Sequence, residues 1–462
     1  MKVRDLKKLG ITGGEPMKQA RALIGEMKRQ KSSRARIRDM IRAVIHDPET
    51  YHDHPLYGSF AQLLSSHRFT PRGQSAPYQQ WGENLDAQSI QQLENACALP
   101  VSVAGALMPD AHVGYGLPIG GVLATDNAVI PYAVGVDIAC RVKITVLDLP
   151  LKKLDAGKDK EQLARAIAAE TRFGVGSAFK DRRRHDVLDE DWSVSPVTQK
   201  AKDKAWSQLG TSGSGNHFVE FGPLKLEESI QGLEPGIYLA LLSHSGSRGT
   251  GAMVASHYSK LAMSLHPELP RELRHLAWLN MDTEAGQEYW AAMELMGRYA
   301  AANHACIHLH LAAHLGADVL LDLENHHNFA WKERHLDREV IVHRKGATPA
   351  GKGVLGIIPG SMTSPAFIAR GKGNTESMHS AAHGAGRVMS RRKAHQTLSW
   401  KDANQVLKDK GVTLISAGLD EVPFVYKNIE DVMAAQIDLV ETIARFDPKL
   451  VKMAPAGERA ED

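Results

Sequence analysis

The chain has 462 residues, 43% of them hydrophobic, which allows one large α/β domain or two smaller ones around a sizeable core. The uncharged stretch near residue 115 is broken by Gly and Pro and is too short to span a bilayer, and no apolar segment follows the basic N-terminus, so neither a membrane span nor a secretory signal is expected. The three cysteines (Cys97, Cys140, Cys306) form no CxxC and cannot build a disulfide framework, so a reducing, cytoplasmic setting is expected.

The net charge of +3 conceals an asymmetry: residues 1–45 carry 13 Lys/Arg against 4 Asp/Glu, a local +9, which leaves −6 for residues 46–462. A basic segment on a mildly acidic body points to a polyanionic partner. A solvated helical face accounts for the charge equally well, and Asp5, Glu15 and Glu26 weaken a transit-peptide reading.

In chain order, residues 16–29 read as a loose helix, and Ile37, Met40, Ile41, Val44 and Ile45 repeat at helical spacing. Residues 1–66 are thus a basic helical extension and 67–83 a linker. The whole stretch 50–83 reads as irregular, with His52 and His54 expected to be solvated. From residue 84 the texture changes to helices alternating with short apolar strands. Residues 86–98 read as a helix, 119–124, 140–147 and 236–243 as strands, and 284–315 and 429–446 as helices. Residues 454–462 are expected to be disordered.

Asp137 and Cys140, in Gly135-Val136-Asp137-Ile138-Ala139-Cys140, are the most informative pair. Histidines in equally unusual surroundings follow: His217 after Gly213-Ser214-Gly215-Asn216, His244 before Ser245-Gly246-Ser247-Arg248, His327 before Asn328, and His383. Most of them sit beside Gly, Ser or Asn, where a chain turns and its backbone can approach a ligand. A turn aspartate and a small buried thiol would explain the pair alone. With the imidazoles added, the carboxylate and lone thiol form a mixed hard and soft donor set suited to Mn²⁺, Zn²⁺ or Co²⁺, and the chain reads as a metalloenzyme.

His383-Gly384-Ala385-Gly386-Arg387 suggests a second role. Gly384 and Gly386 let backbone amides approach an anion, and Arg387 can clamp a phosphate. His383 would be either a nitrogen nucleophile towards phosphorus or one more metal ligand, and spacing does not separate the two. Arg344-Lys345-Gly346-Ala347-Thr348 and Ile358-Pro359-Gly360-Ser361-Met362 read as phosphate-handling loops or as plain turns. His304/His308 and His310/His314 have zinc-binding spacing but no accompanying carboxylate, and are read as packing or surface residues.

Taken together, these motifs resemble the RtcB family of RNA-splicing ligases. The likeness is carried in the family's order by Met108-Pro109-Asp110-Ala111-His112-Val113-Gly114-Tyr115-Gly116, by the segments quoted above, and by Tyr426-Lys427, over residues 84–453. The family's Asp-Ile-Gly-Cys-Gly reads Asp137-Ile138-Ala139-Cys140-Arg141 here. Arg141 either adds charge beside the metals or points away along the strand. The family's terminal Lys-Gly reads Lys452-Met453, with nine residues beyond.

The resemblance implies one large α/β domain of the family's own fold. It implies Mn²⁺- and GTP-dependent joining of RNA ends bearing a 2′,3′-cyclic phosphate or 3′-phosphate to ends bearing a 5′-hydroxyl, with an archease-like activator as a further partner it allows. Asp137, Cys140 and His217 would hold one Mn²⁺, and Cys140, His244 and His327 a second, with Cys140 bridging. His383 would be guanylylated by GTP, oriented by Asp110. Glu220, Tyr426 and Lys452 would line the guanine site. Asn216, Asn328, Ser361 and the Gly384-Ala385-Gly386 backbone would contact the nucleotide, and Arg248, Arg344, Lys345 and Arg387 would face RNA or phosphate. A cyclic-phosphate phosphoesterase would use the same metal ligands without a nucleotide on His383. A non-catalytic RNA-repair adaptor could lose the metals altogether.

Overall fold

Helical periodicity becomes a helix here wherever caps and core agree with it. Glu284–Leu315 starts at Thr283, whose side chain accepts a hydrogen bond from the Gly286 N–H, and stops at Gly316 in the left-handed region at φ 63°. Ala87–Cys97 starts at Asp86, whose carboxylate accepts from the N–H groups of Gln88 and Ser89. The structure, a computed structural model, describes residues 2–458 apart from 10, 12, 13, 67, 68 and 70.

The basic N-terminal segment is packed rather than extended. Helices Val3–Lys8, Gly14–Arg29, Arg34–His46 and Gly58–Ser66 share a core of their own that includes Leu6, Leu23, Met27, Ile37, Ile41, Val44 and Phe60. The stretch expected to be irregular, 50–83, therefore contains a helix and the short strand Tyr78–Gln80. His52 and His54 are not simply solvated. His52 Nε2 lies 2.6 Å from Ser65 Oγ, and the His54 ring stacks on Tyr57 while accepting from the Leu56 N–H. Part of the 67–83 linker lies outside the described residues, as do 459–462 of the expected tail. Residues 454–458 form a turn, with Glu458 accepting from the Val175 N–H.

The rest is a mixed α/β arrangement built on two sheets. The smaller runs in the order Tyr78–Gln80, Ser102–His112, Ile119–Thr125, Arg338–Lys345, Phe329–His335. The larger runs Leu355–Pro359, Ala366–Gly371, Val440–Phe446, Phe218–Leu226, Gly236–Ser245, Arg141–Leu147, Val319–His326, with Leu450–Met453 also paired to Phe218–Leu226 and carrying Thr413–Ser416. Neighbours along both runs are antiparallel, except that Tyr78–Gln80 pairs in parallel. His304 and His308 are buried packing residues: His308 bridges Thr145 Oγ1 at 2.7 Å and Ser243 Oγ at 2.8 Å. His310 and His314 sit nearer the surface beside Glu170.

The expected helix 429–446 is a correction. Ile429–Ala434 is helical, but the chain turns at Gln436 and continues as the strand Val440–Phe446. The buried Gln436 side chain accepts from the Ala382 N–H at 2.9 Å, which anchors that turn. Beyond it, β-branched Val440, Thr442 and Ile443 fill a gap between two waiting strands, and this tertiary partner overrides the local pattern.

Arg344 is also not where its loop-like context placed it. It lies at the end of a strand, 1% exposed, with Nη1 2.6 Å from Glu333 Oε1 and Nη2 2.9 Å from Glu333 Oε2. Its Nε donates to Ser380 Oγ, Nη2 also donates to the Met378 carbonyl, and the guanidinium lies over Trp331. It thereby ties the smaller sheet to the segment leading into His383. Burial pushes the Glu333 carboxyl up, but the His335 ring and the Arg344 guanidinium outweigh it and hold Glu333 down at about 2. A carboxylate depressed on folding adds stability above its unfolded value of 4.5 and loses it as pH falls towards about 2. Glu333→Gln, which leaves Arg344 without a counter-charge, should therefore cost about 3 kcal/mol at neutral pH. In urea denaturation the gap to the parent protein should close as the pH approaches the folded-state value.

Candidate active site

Four neighbouring strands of the larger sheet deliver the metal-ligand candidates to one edge. Phe218–Leu226, Gly236–Ser245, Arg141–Leu147 and Val319–His326 lie side by side, with Phe218 opposite His244 and Arg141 opposite both Ser245 and His326. His217 and Cys140 thus immediately precede their strands, His244 stands near the end of its own, and His327 immediately follows its own. Strand alternation turns Arg141 away from this edge, where its guanidinium meets Glu324 at 2.7 Å and the Gly297 carbonyl at 2.9 Å. The tight turn before Cys140 places Ala139 in the left-handed region at φ 55°, a position that suits glycine better by roughly 1 kcal/mol.

Two groups of ligand atoms meet here and share one residue. Asp137, Cys140 and His217 form the first, and Cys140, His244 and His327 the second, the atoms of each lying within 4.8 Å of one another. Cys140 Sγ is 3.5 Å from His217 Nε2 and 3.1 Å from His244 Nε2, and His244 Nε2 is 3.1 Å from His327 Nε2. His244 Nδ1 faces the Asn216 carbonyl at 3.1 Å, so Nδ1 carries the proton and Nε2 presents its lone pair inward. Burial, with His217 nearby, lowers His244 to about 3, so the ring stays neutral and able to ligate. Burial would raise Asp137, yet the His217 ring and the Arg248 guanidinium bring it down to about 2. One Asp137 oxygen accepts from the Ser247 N–H at 3.0 Å. The other, Oδ2, lies 3.1 Å from His217 Nε2 without a well-formed hydrogen bond, and His327 Nδ1 is buried without a hydrogen-bond partner. The inward lone pair of His244, the ionised Asp137 carboxylate and a buried thiol common to both groups are donors that fit divalent cations.

The two groups open into a cavity of about 690 Å³ that His383 also lines. Asp110, fully buried at the end of Ser102–His112, places Oδ2 2.6 Å from His383 Nδ1 and 3.2 Å from the His383 N–H. An ionised carboxylate can only accept, so His383 Nδ1 is the donor, and in the neutral ring this leaves Nε2 unprotonated. Gly346, at φ 59°, and Gly386, at φ 72°, are required here. A Cβ at Gly346 would meet Ile119 at 2.2 Å and His383 at 3.1 Å, and one at Gly386 would meet the Asp110 carbonyl at 2.1 Å. The His383 and His327 rings lie 4.8 Å apart, so His383 stands beside the candidate metal ligands without joining either group.

Asn216, Glu220, Asn328, Lys345, Ser361, the backbone of 384–386, Arg387 and Tyr426 all line this cavity. Glu220 is buried with no charged partner, and burial pushes its carboxyl well up. Lys345 donates to the Tyr115 carbonyl at 2.6 Å, and burial lowers it to about 7. Arg387 is engaged within the protein, to the Asp420 carbonyl at 2.8 Å and to Glu421. Lys452 is not brought here. Val451 and Met453 line the cavity, so alternation puts Lys452 on the other face of its strand, over Phe173. The residue that sequence reasoning missed is Glu421, buried, accepting from the Tyr426 hydroxyl and pairing with Arg387 and Arg391. It stands in Leu419-Asp420-Glu421-Val422, where no neighbouring His or Gly signals a site. A more open cleft of about 860 Å³ adjoins on the far side of Asp137, carrying Lys204, Arg248, His257 and Lys260.

Cys140 is the one donor common to both groups. Cys140→Ala should therefore abolish tight binding of two Mn²⁺ per chain, read by calorimetry and metal analysis. Cys97→Ala and Cys306→Ala, at buried thiols outside both groups, should bind as the parent does.

Comparison with known proteins places the chain in a family. The sequence model of the family described as "tRNA-splicing ligase RtcB" matches residues 92–197 and 189–453. The chain is 34% identical over 406 residues to RNA-splicing ligase RtcB of Escherichia coli K12, covering 80% of this chain and 95% of that one. It is 31% identical over 452 residues to tRNA-splicing ligase RtcB of Methanococcus maripaludis (81% and 92% covered), and 30% identical over 446 residues to that of Archaeoglobus fulgidus (79% and 90%). With its ligand-bearing strand ends and its His383 motif all inside the matched region, the chain belongs to the RtcB family.

Proposed function

We propose that this protein is an RNA ligase that joins ends bearing a 2′,3′-cyclic phosphate or 3′-phosphate to ends bearing a 5′-hydroxyl, using GTP and two Mn²⁺. The observation that carries the reading is a histidine whose Nδ1 is held by a buried carboxylate, standing beside two cation-fitting donor groups in one cavity. Asp137, Cys140 and His217 would hold one cation, and Cys140, His244 and His327 the other. Bound there, the pair would neutralise phosphate charge and lower the cost of attack at phosphorus.

The steps of this chain's own residues follow from chemistry. His383 Nε2 attacks the α-phosphorus of GTP; an N–P bond forms, the bond to the bridging oxygen breaks, and pyrophosphate leaves. Asp110 holds the Nδ1 proton and stabilises the positive ring that develops. An RNA 3′-phosphate oxygen, freed by water where the end is cyclic, then takes the guanylate from His383 and returns the imidazole. The 5′-hydroxyl oxygen attacks the activated 3′-phosphorus, its proton is lost, and GMP departs as the phosphodiester forms. Guanine offers two N–H donors on one edge, which suits Glu220 in its carboxylate form, a form those donors would favour against the effect of burial, with Tyr426 nearby. Because Lys452 faces away, guanine recognition in this chain would rest on Glu220 and Tyr426.

Incubation with labelled GTP and Mn²⁺ tests the reading directly, because a phosphoesterase with the same metal ligands would retain no GMP. His383→Ala should still bind Mn²⁺ but form no covalent adduct and seal no RNA supplied with GTP. It should still seal RNA already carrying a 3′-linked guanylate. Asp110→Asn should slow adduct formation by about 10–100-fold with little change in metal binding. A GMP-sized adduct mapped by mass spectrometry to any other residue overturns the assignment.

A further inference from the structure

The helix Arg34–His46 breaks two electrostatic rules at once. Arg34, Arg38 and Arg42 recur every fourth residue and are all exposed, so like charges stand one turn apart along the helix. Its first turn holds no acidic residue, and Arg34 and Arg36 sit where the helix dipole favours anions. Helix packing explains neither feature, because Ile37, Ile41 and Val44 supply the buried face. Arg38 pairs with Asp39 at 3.4 Å, the one acidic residue of the helix, and among the described residues Arg34 and Arg42 make no ion pair. Exposed Lys28, Arg29 and Lys31 lead into this helix and extend the positive surface. All four cations of the helix are arginines, whose planar forks match phosphate oxygens, and it carries no Phe, Tyr or Trp on which a base could stack.

We propose that the Arg34–Arg38–Arg42 stripe of the N-terminal helical module holds the ribose–phosphate backbone of the RNA substrate without reading its sequence. The inference rests on the ligase reading for the identity of the polyanion. The stripe lies outside residues 92–453, where the family match falls, so it is a feature added to the family's domain. Locally unfavourable charge tolerated on a folded surface is expected where a ligand of opposite charge completes it. The arginines stand about 6 Å apart along the axis, which presents successive cations to one strand.

The test uses the full chain and a labelled single-stranded RNA with a 3′-phosphate, without GTP, titrated at several salt concentrations. The triple variant Arg34→Gln/Arg38→Gln/Arg42→Gln should bind roughly tenfold more weakly at physiological salt, and its log–log salt slope should fall by about two units. The corresponding Lys triple variant should keep most of the slope. Relief of like-charge repulsion should leave the Gln variant's melting temperature no lower than the parent's, and GMP transfer from GTP should be unchanged. Unchanged affinity and slope in the Gln variant overturn the proposal. So does equal loss in the Lys variant, which would make packing rather than charge responsible. Unchanged RNA binding with lost binding to vesicles of anionic phospholipid would also overturn it and assign the stripe to a membrane surface. A parent chain that takes up no GMP would defeat the ligase reading while leaving the RNA-binding result to stand on its own.

Discussion

Asp137, Cys140, His217, His244 and His327 meet at the ends of four strands, and they cannot all satisfy one another. His244 and His327 point nitrogens at each other across 3.1 Å, Asp137 Oδ2 has no hydrogen bond, and Cys140 stands between the two groups. Gathering such donors out of water is unfavourable unless something positive binds them. Much of the surrounding architecture serves that convergence. The antiparallel register brings the strand ends level, a strained Ala139 turn aims Cys140 inward, and Gly246 leaves room for Asp137, whose carboxylate a Cβ there would touch at 2.2 Å.

The His383 side of the cavity is built by different means. His383 comes from a short strand next to the smaller sheet, and its orientation depends on Asp110, on the absence of a Cβ at Gly346 and Gly386, and on the buried Arg344–Glu333 pair that anchors residues 378–380. The larger sheet therefore presents the candidate cation ligands, and the short strand Ser380–Ala382, paired with Ala347–Pro349 beside the smaller sheet, leads into the nucleophile candidate. The distance between them is set by packing rather than by any local motif. Arg344 shows how easily such roles are confused in sequence. Its context suggested a phosphate contact, whereas its guanidinium is consumed by a carboxylate, a hydroxyl and a carbonyl.

The N-terminal module obeys other constraints. Its helices bury a separate apolar core, and its arginines stay at the surface in an order that weakens their own helix. Charge composition alone could not distinguish a floppy basic arm from a folded basic face. The i, i+4 alignment against a buried Ile37–Ile41–Val44 stripe does.

The residues themselves determined the chemistry of the site. A thiol three positions after an aspartate says little alone, but together with histidines set among Gly, Ser and Asn it makes a mixed hard and soft donor set, so Asp137, Cys140, His217, His244, His327 and His383 stand out in the sequence. The long helix 284–315 and the strands around 119–124, 140–147 and 236–243 were equally legible, because period and caps are local properties. Other features were decided only in three dimensions. Val440–Phe446 became a strand because two neighbours left a gap for it, Lys452 turned away because its strand alternates, and Glu421 entered the cavity wall through contacts with Tyr426, Arg387 and Arg391. Local sequence encodes what a side chain can do and which period its segment prefers. Which face it shows, and to whom, depends on strand partners far away in the chain, and those exist only once the sheets have formed.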